Sequence, residues 1–199
     1  MTMDDFKCSV VARELLPRQF PTHHLQDSFW ESLGRAVATF GFLEEVLGKA
    51  IYVFTATRVY DDPDELQKAY EAWLPKLERA LIDPLGSLIE TYGKAVLDHH
   101  EQSINNFEVL LADLRKANSM RNILCHGSWG LPNSVGASVP HFVNRKKQVV
   151  TTAMDKEYID RVQRHAANLA CRVIDSATCM GWQFPGSYGS GKPLWKFSE

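Results

Sequence analysis

Residues 26–57 read QDSFWESLGRAVATFGFLEEVLGKAIYVFTAT, and this stretch decides the fold class. Its large apolar side chains recur at steps of three and four residues, the spacing that places side chains on one face of an α-helix. The stretch therefore predicts one long amphipathic helix whose apolar face is buried in a core. The apolar stripe consists of Leu33, Val37, Phe40, Leu43, Leu47, Ile51 and Phe54.

Further helices follow along the chain, each marked by a start signal or an apolar stripe. Asp62 followed by Pro63 is typical of a helix start, because aspartate caps free N–H groups and proline fits the first turn. We expect this helix to be perturbed near Pro75. Asp83-Pro84 repeats the start signal, and the later pattern breaks between about 99 and 103. The later stripes are Leu85, Leu88, Ile89, Tyr92 and Val96; Ile104, Phe107, Leu111 and Leu114; and Ile159, Val162, Ala166, Leu169, Val173 and Ala177.

The pattern changes between residues 137 and 152. Phe142-Val143 and Val149–Thr152 flank a polar turn, which is typical of a β-hairpin. Asp155 is placed to cap the last helix. We therefore predict an all-α fold, a bundle of four to five helices with a small β-hairpin inserted before the last helix. The predicted parts are an N-terminal arm at 1–25, a helical domain at 26–181 and an irregular C-terminal tail at 182–199.

Composition limits the partners of this chain. Of its 199 residues 45% are hydrophobic, and the formal net charge is −2. Any RNA contact must therefore come from a local basic patch, because a broad nucleic-acid surface would make the chain strongly basic. The most apolar stretch, Ala36 to Phe54, carries Glu44, Glu45 and Lys49, which a membrane span would rarely do. Because the N-terminus is also acidic where a signal peptide is basic, we expect a soluble, cytoplasmic protein that does not enter a membrane.

The cysteine and histidine pattern predicts no metal site. The four cysteines form no C-x-x-C pair, and in a reducing compartment we expect them to be buried free thiols. Adjacent histidines on a helix, such as His99 and His100, point about 100° apart and rarely bind one ion. We expect an exposed polar junction there, and neither a metal nor a cofactor in the protein.

One segment carries residues suited to chemistry, namely residues 119–127, which read SMRNILCHG. The Arg121 guanidinium can bind a phosphate through two parallel hydrogen bonds. Histidine side chains titrate near neutral pH, so His126 can act as a general acid or base. These groups suffice to cleave RNA without a metal, because the 2′-OH is an internal nucleophile. Five residues on an ideal helix rotate about 140° and rise about 7.5 Å, so the two side chains can flank a groove.

This segment resembles the signature of the HEPN family, a helical superfamily that contains many RNases. The signature is an arginine and a histidine separated by four to six residues, often with a polar residue after the arginine and a glycine after the histidine. The resemblance spans about 26–181 and implies a catalytic pair near the end of a long helix. Asn122 would orient the phosphate or brace the histidine. The matching residues are Arg121, Asn122, His126 and Gly127.

The resemblance also implies partners and supporting residues. Family members commonly form dimers, so we expect a two-fold homodimer that brings the two motif helices together. RNA is the implied substrate, and a toxin or defence effector would have a neutralising or regulatory protein partner. Several members bring a polar residue from the first long helix toward the site. Glu44 or Glu45 could do this here, and the sequence does not choose between them. A basic turn, Arg145, Lys146 and Lys147, is either an ordinary solvated turn or a contact to RNA phosphates.

Other interpretations of the motif stay open. Arg121 could form an interhelix ion pair, and His126 could cap helix carbonyls at the negative end of the helix dipole. Spacing alone is not specific, since Arg18 and His23 share it in a proline-rich stretch where a helix is disfavoured. Residues 83–94, DPLGSLIETYGK, also loosely resemble the mannitol-operon repressor family. That resemblance implies a second function, a non-catalytic regulatory or protein-interaction module.

Overall fold

A computed structural model of the chain describes residues 11–56, 61–99, 104–180 and 183–186. Of the residues that the structure describes, 64% are helical, and a small antiparallel hairpin precedes the last helix. This confirms the predicted all-α bundle with its inserted hairpin. The helices are α1 (Asp27–Ala56), α2 (Pro63–Ala80), α3 (Leu85–Leu97), α4 (Phe107–His126) and α5 (Lys156–Thr178), and a 3₁₀ turn covers Arg13–Leu15.

Helices α1 and α5 lie side by side, run in the same direction and form the centre of the core. Near their N-terminal ends the Ser32 hydroxyl faces the Asp160 carboxylate. Near their C-terminal ends Tyr92 of α3 contacts both helices, since its ring packs edge-on against Phe54 and its hydroxyl donates to Ser176 Oγ at 2.7 Å. Burial raises the pKa of Tyr92, so this phenol remains a neutral hydrogen-bond donor. The stripe predicted for α1 is buried except for Val37.

Helix α2 starts as the sequence predicts but adds little to the core. The Asp62 side chain accepts a hydrogen bond from the Asp64 N–H at 2.8 Å, and Pro63 occupies the first turn. Pro75 lies inside the helix, which continues to Ala80, its one buried residue. The apolar side chains along α2 are therefore largely exposed.

Three local predictions need correction. Of the cysteines, all expected to be buried, Cys171 and Cys179 are exposed and Cys125 is half-buried, while Cys8 lies outside the described residues. Helix α3 begins one residue later than predicted, with Pro84 as the cap residue and no side-chain cap bond, so Asp83 does not cap it. His99, expected in an exposed junction, is buried, and its ring packs edge-on against Phe54 with the centroids 6.1 Å apart. The break between α3 and α4 is real, but residues 100–103 lie outside the described part of the chain.

The hairpin is present, but its pairing differs from the prediction. Strand β1 (Ser128–Trp129) follows α4 directly and pairs antiparallel with β2 (Pro140–His141). The predicted strands meet in a single bridge between Val143 and Val149, whose side chains are exposed. Trp129 packs instead against Phe29 of α1, with ring centroids 4.9 Å apart. This partly buried tryptophan anchors the pairing of β1 with β2. Of the valines in the predicted strands, Val150 packs against the core, whereas Val143 and Val149 face solvent.

Both ends of the described chain are attached to the bundle. In the predicted arm, Leu25 is buried, and the Trp30 indole donates to the Thr22 carbonyl at 2.9 Å. In the predicted tail, Phe184 belongs to the core. The predictions for residues 1–10, 181–182 and 187–199 fall outside the described residues. Within the described ranges, none of the helices has both the length and the apolarity needed to cross a membrane.

Candidate functional site

The predicted motif forms the last two turns of α4 and the exit from it. Apolar side chains including Leu114, Ala117 and Leu124 hold this helix against the bundle. The helix ends at His126, and the Gly127 N–H donates to the Ile123 carbonyl at 2.8 Å. A Cβ atom on residue 127 would lie 2.6 Å from that carbonyl oxygen and 2.8 Å from the Pro140 Cβ. The motif glycine is thus needed for the close approach of β2 to the helix end.

Arg121 reaches from α4 to α1. Its Nη2 lies 3.4 Å from Glu44 Oε1, and each of the two side chains is only about a quarter exposed, at 25% and 27%. Glu44 Oε1 is buried and accepts no hydrogen bond, so the contact is an ion pair without good hydrogen-bond geometry. The guanidinium therefore retains N–H groups for another acceptor. The neighbouring Glu45 instead pairs with Lys49 at 2.6 Å on the outer face of α1. Glu44 is thus the glutamate that faces the motif.

His126 and Asn122 are unengaged. The His126 side chain is exposed, and Asn122 is half-buried. Across the described ranges, neither side chain makes a hydrogen bond or an ion pair, and the helix-end carbonyl of Ile123 is satisfied by Gly127 instead. His126 thus does not act as the carbonyl cap that a purely structural interpretation requires.

The basic turn predicted at residues 145–147 is exposed. Asn144 Oδ1 accepts from the backbone N–H groups of Lys146 and Gln148, at 2.9 Å each, and Lys147 has a left-handed φ of 61°. In the described part of the molecule, these basic side chains have no carboxylate partner. Arg145, the first residue of the turn, is four residues beyond His141, which pairs with Ser128, so its backbone lies within about 14 Å of that strand pair. Its position permits contact with a long ligand bound at the helix end.

His141 is a residue that sequence reasoning missed. It pairs with Ser128 in the antiparallel register, so the two side chains share the solvent face of the hairpin while Trp129 faces the core. Because Gly127 and Pro140 touch, His126 and His141 flank one contact point. The backbone therefore places a second histidine on the other side of this contact point. Only the strand register reveals this, and two-residue strands leave no periodic signal in a sequence.

Larger features of the molecule lie elsewhere. A cavity of about 580 Å³ separates α2 from α1 and α3, with Trp73, Tyr70 and Lys94 among its lining residues, and it includes no motif residue. Within the described ranges, no three histidine, cysteine or carboxylate side chains gather as they would around a metal ion.

The geometry thus joins Arg121 to Glu44 and leaves His126 exposed at the same end of the helix. In comparisons with known proteins, no family model, no curated protein and no solved structure matches the chain.

Proposed function

We propose that the C-terminal end of α4 is the active site of a metal-independent endoribonuclease. A base removes the proton of a ribose 2′-OH, and the oxygen attacks the adjacent phosphorus. A P–O2′ bond forms and the P–O5′ bond breaks, while an acid protonates the leaving 5′ oxygen. The products are a 2′,3′-cyclic phosphate and a 5′-OH end.

One observation carries the proposal: an arginine and the glutamate that pairs with it are each about a quarter exposed, and an exposed histidine without a hydrogen-bond partner follows about one and a half turns later on the same helix. Arg121 would stabilise the charge of the phosphorane, a contribution that is often the largest in catalysis. Glu44, at 3.4 Å, would restrict the guanidinium without using all its N–H groups. His126 would move protons, and Asn122 would orient the phosphate or brace the histidine.

The reaction needs two proton-transfer groups, and each motif supplies one histidine. A two-fold homodimer with facing α4 helices would bring a second His126 to the site. His141 of the same chain is the other source, because it flanks the same contact point as His126. Small-angle scattering at micromolar concentration and the His141→Ala variant distinguish these two sources of the second histidine. If the protein is a monomer that cleaves RNA, and His141→Ala abolishes the cleavage, the dimeric arrangement is excluded.

A second candidate function is a regulatory module that acts through protein partners. The Arg121–Glu44 contact favours it, because an interhelix ion pair is what a purely structural arginine would make. The repressor-like residues 83–94 include most of α3. In this alternative the exposed helix end would contact a protein rather than RNA.

The test is the chemistry of the product ends. A 5′-labelled single-stranded RNA is incubated with the protein in excess EDTA, and the fragments are treated with phosphatase and with kinase. We expect cyclic phosphate ends that resist phosphatase and 5′-OH ends that accept phosphate from the kinase. A substrate with a single 2′-deoxy residue at the cleavage position should stay intact there. Cleavage of that substrate, or 5′-phosphate ends, would exclude attack by the 2′-OH.

A further inference from the structure

A groove of about 300 Å³ opens between α1, α4 and α5, beside the motif. Its floor includes Phe40 from α1, Met120 from α4 and Val162 from α5. Phe40 is fully buried beneath it, while Met120 and Val162 are half-buried. The floor is thus an apolar surface that a ligand could cover.

The rim of this groove is basic. Lys116, Arg161 and His165 are exposed along it, and in the described part of the chain no carboxylate lines the groove. Lys116 lies 3.4 Å from Asp113, but that carboxylate binds Arg172 more closely, at 3.0 Å, and this hydrogen bond lowers the pKa of Asp113. Asp113 is thus shared between two cations, and the rim carries a net positive charge in a chain whose net charge is −2. This is the local basic patch that RNA binding would require.

Arg161 also presents a flat surface. Its Cζ lies 5.5 Å from the centroid of the Tyr158 ring, so the guanidinium covers the aromatic face. Nucleobases stack on arginine planes and on aromatic rings in single-stranded complexes. The same pair can thus bind a base by stacking and a phosphate by charge.

The groove continues from the Arg121–Glu44 pair. On α4, Ala117 lines the groove one turn before Arg121, and on α1, Phe40 lies one turn before Glu44. One helical turn is about 5.4 Å. A chain that passes the phosphate site can therefore place its next nucleotide in the groove.

We propose that this basic groove, rimmed by Lys116, Arg161 and His165, binds a nucleotide of single-stranded RNA next to the scissile phosphate. The inference rests on the proposed function, because it identifies the substrate of that site as unpaired RNA. An apolar floor, a stackable cation and a basic rim match a base with its phosphate. An acidic peptide would use the rim but leave the floor uncovered.

The test measures binding without cleavage. A fluorescent 2′-O-methyl oligoribonucleotide cannot supply the attacking 2′-OH, so its anisotropy reports affinity alone. Arg161→Ala should weaken binding about fivefold to tenfold and reduce the dependence of affinity on salt by about one counterion. Tyr158→Leu should weaken it about twofold to fivefold, because the Arg161 guanidinium loses the ring that holds its plane toward the groove. Arg164→Ala is the matched control, because it removes the same charge from an exposed site on α5 that does not line the groove.

The outcomes separate the two proposals. If Arg161→Ala binds within twofold of Arg164→Ala, the groove does not bind RNA, whether or not the wild type cleaves it. If binding depends on Arg161 while the wild type cleaves no RNA, the groove proposal stands and the endoribonuclease proposal fails. If a polyglutamate peptide competes as well as the oligonucleotide, or a duplex binds as tightly as the single strand, recognition of an unpaired nucleotide is excluded. Unchanged helix content in each variant ensures that the comparison is between folded proteins.

Discussion

Two arginines on α4 each reach a glutamate on another helix, and the two contacts differ in kind. Arg115 binds Glu90 of α3 through Nε and Nη2 at 2.8 and 2.7 Å, and the two side chains are 51% and 60% exposed. Arg121 meets Glu44 of α1 through one contact of 3.4 Å, at half that exposure. The exposed pair has complete hydrogen bonds, whereas the sheltered pair does not.

This difference distinguishes an arginine whose hydrogen-bond donors are used in a surface ion pair from one that keeps donors for a ligand. The Arg115 guanidinium uses its fork on one carboxylate, and exposed pairs of this kind contribute little to stability. Arg121 is held in place, yet its guanidinium keeps N–H groups without an acceptor. It lies at the same end of α4 as the exposed His126 and one turn beyond Ala117, which lines the basic groove. An incomplete ion pair in a sheltered position is what a phosphate-binding arginine needs before its substrate arrives.

The largest contrast is expected from removing each arginine. Arg121→Ala should reduce RNA cleavage about 10²–10³-fold, because one fixed charge is lost from the transition state. Arg115→Ala should change the rate less than twofold. Losing Arg121 leaves the partly buried Glu44 carboxylate without its ion-pair partner, at a cost of about 1–3 kcal/mol, which a domain with about 5–15 kcal/mol of stability survives. Equal rates in the two variants would remove the distinction between the two pairs.

Exchanging each arginine for lysine tests whether the shape of the guanidinium matters at Arg121 but not at Arg115. Arg121→Lys keeps the charge but not the planar fork, so we expect activity about tenfold above that of Arg121→Ala and well below wild type. Arg115→Lys should cleave at the wild-type rate. Full activity in Arg121→Lys would show that only a point charge is needed.

The two adjacent glutamates of α1 provide a smaller contrast. Glu44→Gln removes the charge that holds Arg121 and should reduce cleavage about tenfold, because small displacements of a catalytic group are costly. Glu45→Gln, which breaks only the surface pair with Lys49, should have no effect. A similar loss in both variants would mean that Glu44 does not position Arg121.

The smallest effect concerns stability at low pH. The hydrogen bonds from Arg115 lower the pKa of Glu90. A carboxyl group whose pKa is lowered by folding stabilises the folded state at pH values above its ordinary pKa of about 4.3. This contribution is lost as the pH falls through the lowered pKa. Urea unfolding of Arg115→Ala at pH 7 and pH 3 should therefore show a smaller pH-dependent loss than wild type. In a Glu90→Gln background, Arg115→Ala should not change the pH dependence of stability any further. If it changes this dependence as much as in the wild type, Arg115 acts through a carboxylate other than Glu90.

Much of the fold follows from local sequence signals. The α1 stripe predicts a helix over 26–57 and the structure has Asp27–Ala56, because period and burial agree along the whole helix. Asp155 caps α5, accepting from the Tyr158 N–H at 2.7 Å as expected. Pairing of β1 with β2 escaped prediction because it depends on Trp129 meeting Phe29, a contact across about a hundred residues.

The site is predictable only in part, for the same reason. The apolar pattern of α4 and the glycine after the motif place Arg121 and His126 near one helix end. Which of Glu44 and Glu45 faces the motif depends on how α4 packs against α1, since neighbouring residues on a helix point about 100° apart. The basic groove draws residues from three helices, and no local pattern joins Lys116 to Arg161.

The proposed metal-independent catalysis at the end of α4 is tested by one rate measurement. Purified wild type and His126→Ala are compared for cleavage of single-stranded RNA in excess EDTA. We expect the wild type to cleave and the cleavage rate of His126→Ala to be about 10²–10⁴-fold lower, because a general acid or base contributes about this much. The helix content of the variant should be unchanged. A wild type that cleaves no RNA, or a His126→Ala variant that cleaves as fast, would contradict the account and leave the regulatory module as the function.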